Sequence, residues 1–201
     1  MTLHYDIEND LNEAVSMAEG LEEYLKSDQV YGYSSKGMFD RMPRLTIGAL
    51  QLRLRRLNAL RSRLSDTQKS ALNSADKIVR DVQTEWREHF VSKLLKEIDI
   101  RLSGIQTYYN ECLGDPELCY DNYYQEVEHR TLVQELFRVK ANLNVPDDQN
   151  DKRLQETDAA LHRITGSSSF QWDMALKSVY PDYEYWWLYS EPKVLEPNKL
   201  S

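Results

Sequence analysis

Glycine is scarce in this chain, with 7 residues in 201, and proline stands at only six positions. Long stretches therefore carry no backbone punctuation, which favours helices over short strands and turns. Cysteine occurs twice, at 112 and 119, which gives neither a disulfide framework nor a C-x-x-C motif for redox or zinc chemistry. No apolar run approaches the roughly 20 residues of a membrane helix. The opening residues, Met1 to Val15, are acidic and lack the basic-then-apolar order of a secretory signal. A cytoplasmic location without membrane association is the expectation. No G-x-S-x-G elbow and no glycine-rich dinucleotide fingerprint occur. The stretch Gly32–Gly37 has the outline of a phosphate loop, but Met38 stands where lysine is needed and no strand precedes it.

What is present is a globular composition: 41% apolar and 29% charged residues, with a net charge of −8. The length suits one domain able to bury a core without staples. Apolar residues recur every three or four positions, the mark of amphipathic helices. Ile7, Leu11, Ala14, Ala18, Leu21 and Leu25 predict a first helix over 7–26, with Asp6 as its N-cap. Residues 28–44 read as a long loop. A second helix is predicted over 45–64. Ser65 and Gln68 have capping-box spacing, so a third helix starts there.

That third helix runs to about residue 111, with a stripe that drifts after Trp86. Unbroken, it would rise about 69 Å. Gly114-Asp115-Pro116 ends it and starts a fourth helix, which reaches Leu143. A fifth helix covers 152–165, and a short helix is predicted at 173–179. The expected fold is all-α: a four- or five-helix bundle over 1–165 built on one long antiparallel helical hairpin. An aromatic-rich C-terminal segment, 166–201, packs on it within a single domain, and its last residues read as an extended tail.

Charge is segregated. Residues 1–35 hold eight acids and one base, whereas 36–63 hold eight bases and one acid. The expectation is that the acidic first helix and the basic second helix pack as neighbours. On a helical wheel of the second helix, Arg53 and Arg61 fall inside the arc that its leucines and Ile47 occupy. A charge in a core-facing stripe must be paired or must face an opening. Arg53, Arg56 and Arg61 are therefore the candidate binding residues, alternatively structural partners of acids. An anion- or nucleic-acid-binding role through the arginines, Arg55 and Arg63 included, is an alternative reading. The net charge disfavours nucleic acid.

Glu126 and His129 have the i, i+3 spacing of helical carboxylate-metal sites. Such a site needs two such pairs, and on the hairpin His129 lies about 16 Å along the axis from His89. No metal and no cofactor are expected, and an enzyme site between helices near Glu126 and His129 is the weaker alternative. Cys112 and Cys119 face each other across the hairpin tip, where a pair could approach bonding distance; in a reducing compartment they are expected to be two thiols, with a redox switch as the weaker alternative. Tyr108, Tyr109, Tyr120, Tyr123 and Tyr124 surround them, packing at the tip with their hydroxyls toward water.

The densest feature is aromatic: Phe170, Trp172, Tyr180, Tyr183, Tyr185, Trp186, Trp187 and Tyr189 fall within twenty positions. Trp186 and Trp187 close the bundle or are offered to a partner, since such rings dominate binding hot spots. The functional expectation is a non-catalytic helical interaction or adaptor protein that engages a protein partner or copies of itself.

Overall fold

The computed structural model describes residues 4–32, 43–114 and 116–193. The phosphate-loop outline beyond Gly32, the capping position Asp115 and the tail from residue 194 lie outside these. The described chain is mostly helical. It forms α1 (Ile7–Glu19), α2 (Leu21–Lys26), α3 (Ile47–Ala59), α4 (Asp66–Glu85), α5 (Arg87–Gly114), α6 (Pro116–Asn142) and α7 (Asp148–Ile164), with one two-stranded antiparallel pair, β1 (Thr165–Ser167) and β2 (Ser190–Pro192). Among the described residues no helix is long and apolar enough to cross a membrane.

Local chemistry sets several helix starts. Asp6 accepts from the amides of Glu8 and Asn9 at 3.0 and 3.1 Å, which satisfies two donors that the first turn leaves open. Ser65 and Gln68 form the reciprocal capping box of α4. Asp147 caps α7, which begins four residues earlier than the apolar pattern alone indicates.

Two predicted helices are divided. The first breaks at Gly20, whose amide turns to the carbonyls of Ser16 and Ala18. The third breaks at Trp86, where φ −106 and ψ 34 leave the helical basin. The cause lies in the drifting stripe: a straight helix would carry Leu94 and Ile98 progressively off the face of Leu72 and Val79. One non-helical residue resets the phase, and all four side chains are buried. The second helix stops at Ala59 and continues as a single 3-10 turn, Arg61–Arg63. The helix expected at 173–179 is likewise a 3-10 turn, Met174–Leu176, capped by Asp173.

The chain divides into two compact units. The N-terminal unit comprises His4–Ile98 and Gln134–Val145. Here α1 packs against α3 and α4. Leu11, Ala14, Met17, Ile47, Leu50, Leu57, Leu72 and Val79 form its core, each buried leucine, isoleucine or valine contributing about 1.5–3 kcal/mol. Glu97, wholly buried, accepts from the Gly48 amide at 3.2 Å and so places a carboxylate at the positive end of α3. Gly32 pairs with Leu45 by two backbone hydrogen bonds, 2.9 and 3.0 Å. A Cβ there would stand 2.5 Å from the Tyr24 ring, so only glycine fits.

The C-terminal unit comprises Asp99–Val133 and the chain from Pro146 onward. Its stretches of α5 and α6 run antiparallel and are joined by a disulfide near the turn, Cys112–Cys119. Arg153 of α7 reaches Asp99, Ser103 and Gln106 on α5. The aromatic segment folds back: β2 pairs with β1, Thr165 opposite Pro192, and the Gln171 amide donates to the Leu188 carbonyl at 2.8 Å. Residues 190–192, expected in an extended tail, are thus part of a small sheet.

Candidate functional site

The arginines of α3 face acids of their own unit. Arg53 Nε donates to Glu13 Oε2 at 2.6 Å, lies 3.9 Å from Asp10, and also caps the Ala49 carbonyl. Arg56 stands 3.7 Å from Asp10 and over the Tyr5 ring. Arg55 lies 3.4 Å from Glu135, and Arg61 donates to Asn73 at 2.6 Å. The contacts of Arg53 and Arg56 are the pairs that an acidic α1 beside a basic α3 would make, whereas Arg55 meets α6 and Arg61, in the 3-10 turn after α3, meets an amide of α4. Burial pushes the Asp10 carboxyl above its ordinary value, outweighing the opposite pull of Arg56 and Arg53.

Trp187 is enclosed in the C-terminal unit. The Arg130 guanidinium lies 3.8 Å from its ring centroid, its indole N–H donates to Thr131 Oγ1 at 2.9 Å, and its carbonyl accepts from the Tyr123 hydroxyl. Arg130 in turn holds Asp158 with two bonds, 2.7 and 2.9 Å. Trp186 is half-buried and lies flat on His162, centroids 3.5 Å apart. Edge-on contacts then run through Trp186, Trp187, Tyr185, Tyr180 and Trp172.

Beside this stack lies a cavity of about 480 Å³, lined by His162, Ser167, Ser168, Asp182, Trp186 and Ser190 among others. It brings together the residue types of a nucleophile, a base and an orienting acid. Two hydroxyls are engaged elsewhere: Ser190 donates to the Trp186 carbonyl and Ser168 to that of Ser169. With the imidazole flat against an indole, this is not the geometry of an activated serine.

Near the turn between α5 and α6, Cys112 and Cys119 are bonded with Cα atoms 4.8 Å apart, and both are buried. The expectation of two thiols is corrected: antiparallel stretches of helix bring their Cα atoms within disulfide reach. The Tyr108 hydroxyl donates to the Cys119 carbonyl rather than to water. Burial raises the phenols of Tyr108, Tyr109 and Tyr123 above their ordinary range. Tyr120 and Tyr124, one turn apart on α6, are exposed, at 63% and 44%. Glu126 and His129 bond each other at 3.3 Å within one helical turn. Among the described residues no group of three or more His, Cys, Asp or Glu side chains could hold a metal ion.

Lys93 is a buried cation that apolar periodicity alone does not single out. On a helical wheel of α5, Lys93 and Glu97 both fall within the stripe of Phe90, Leu94 and Ile98. The test applied to Arg53 would have found both. Lys93 is only 5% exposed, and its ammonium donates to Ser27 Oγ and to the Gln29 carbonyl. No protein-family model, no curated protein and no solved structure matches the chain.

Proposed function

We propose that this is a non-catalytic helical interaction protein that uses the exposed tyrosine face of α6 to bind a partner protein. The observation that carries the reading is the placement of exposed rings. Of the six large apolar side chains exposed among the described residues, five belong to the C-terminal unit: Ile100, Tyr120, Tyr124, Met174 and Tyr183. Tyr120 and Tyr124 share a face and sit beside a covalently closed turn, so a partner meets a surface with little conformational freedom left to lose. Tyrosine supplies large contact area at low entropic cost.

Charge selects the partner. Residues 119–128 of α6 contain three acids and no base, and Asp121 and Glu128 are exposed. Two copies of this face would repel, whereas lysine and arginine side chains of another protein gain both ion pairing and cation–π contact with the rings. The arginine-rich α3 supports a binding role less well, because Arg53, Arg55, Arg56 and Arg61 already face acids or an amide of their own unit.

Fluorescence anisotropy of a lysine- and arginine-rich peptide with the full chain tests this. Saturable binding weakened about tenfold or more by Tyr120→Ala with Tyr124→Ala is expected. Equal binding by the double variant, or equal binding of an acidic peptide, overturns the reading.

A further inference from the structure

A second feature, independent of that surface, lies in the N-terminal unit, where the end of α2 meets the first turns of α5. A cavity of about 170 Å³ opens there, and its lining includes Lys26, Ser27, Asp28, Ser92, Lys93 and Lys96. That is room enough for one tetrahedral ion and part of its hydration.

The wall is rich in donors. Lys93 and Lys96 are three residues apart on α5 and therefore share a face. Lys93 is buried, while Lys96 is exposed. The Lys93 ammonium is held by Ser27 Oγ at 3.3 Å, by the Gln29 carbonyl, and by the Tyr24 ring face 4.7 Å away. Burial pushes its pKa down, the Lys96 charge pushes it further, and Asp28 acts in the opposite direction. Lys26 is engaged with Glu22 and Glu23 at 2.7 and 3.3 Å. Two ammonium groups thus share one opening with one lining carboxylate, Asp28, to offset them. An anion placed between them turns their repulsion into attraction on both sides.

We propose that this cavity binds a phosphate group, held by the ammonium groups of Lys93 and Lys96 and by the hydroxyl of Ser92, while the Ser27 hydroxyl, which donates to the Tyr24 carbonyl at 2.8 Å, positions Lys93. Hydroxyl and ammonium donors spaced three and four residues apart on one face of α5 suit the several acceptor oxygens of a tetrahedral oxyanion. The open mouth leaves room for whatever the phosphate is attached to, a soluble ion or a lipid headgroup.

The experiment is a calorimetric titration of the full chain with inorganic phosphate against chloride of matched ionic strength. Lys93 supports the fold, so the variants are Lys96→Ala and Ser92→Ala, both at exposed positions. Saturable binding is expected, weakened about tenfold by Lys96→Ala through loss of one charge-assisted contact. The melting temperature without phosphate should be unchanged. No saturable response, or the same affinity in Lys96→Ala, overturns the proposal. Co-sedimentation with phosphatidylcholine vesicles, with and without a phosphoinositide, separates the sources. Vesicle binding that inorganic phosphate competes away and Lys96→Ala removes assigns a lipid headgroup. Phosphate binding without vesicle binding assigns a soluble group. Vesicle binding that persists in Lys96→Ala counts against the site.

Discussion

Arg130 is the most enclosed guanidinium for which the fold provides both a carboxylate and a ring. At 2% exposure it grips Asp158 and covers one face of Trp187. Truncating it leaves a partly buried carboxylate unpaired and strips contact from an indole. Arg130→Ala should therefore cost about 3 kcal/mol, read as a lowered denaturant midpoint with a change in tryptophan emission. Arg130→Met should recover part of that loss by restoring contact with the ring.

The buried phenols make a prediction of opposite chemical sign. Tyr108, Tyr109 and Tyr123 keep their protons in the folded chain at a pH where the unfolded chain releases them, since their pKa values lie above the ordinary 10.0. The folded state thus binds more protons in that range, and stability falls as pH rises through 10.0. The contribution of these phenols to the denaturation midpoint should be level below that pH and decline above it, and Tyr108→Phe should flatten the slope. Lys93 works the other way below 10.5: its pKa is lowered, so the unfolded state binds more protons there and its contribution improves with pH up to that value.

At the level of elements, caps were legible because their chemistry is local. Asp6 and Ser65 announce helix starts through side chains that reach backbone amides two or three residues on, and Gln68 reaches back to the Ser65 amide. Ser65→Ala combined with Gln68→Ala should destabilise the chain by about 1 kcal/mol by thermal melting, without altering the oligomeric state. The break at Trp86 was not legible, because it answers to where Leu72 and Leu94 must each be buried. The pairing of β1 with β2 was hidden for a similar reason: three-residue strands far apart in sequence carry no period. The position of Arg53 in an apolar arc was readable, while its partner Glu13, forty residues away, was not. The cysteines show the limit of compartment arguments, since hairpin geometry brings them together whatever the redox setting. Closing so short a loop stabilises by about 2 kcal/mol. Reduction should lower stability by that amount, and a Cys112→Ser, Cys119→Ser variant should match the reduced chain and no longer respond to reductant.

For the whole molecule, the two compact units distribute their polar chemistry differently. In the N-terminal unit the opposed charges of α1 and α3 neutralise each other, and one cavity retains two ammonium groups. In the C-terminal unit cations are tied to Asp99 and Asp158, the tryptophans are drawn inward, and tyrosines remain on the surface of α6. Tyr120 and Tyr124 are exposed on α6, with Asp121 and Glu128 exposed on the same helix.

The central claim is that this face of α6 makes the contact. Hydrogen–deuterium exchange of the full chain, with and without a saturating lysine- and arginine-rich peptide, tests it most directly. The predicted result is slowed exchange on α6 around Tyr120–Glu128, with α3 unchanged. Protection confined to α3, or no protection on α6 at saturation, would contradict it.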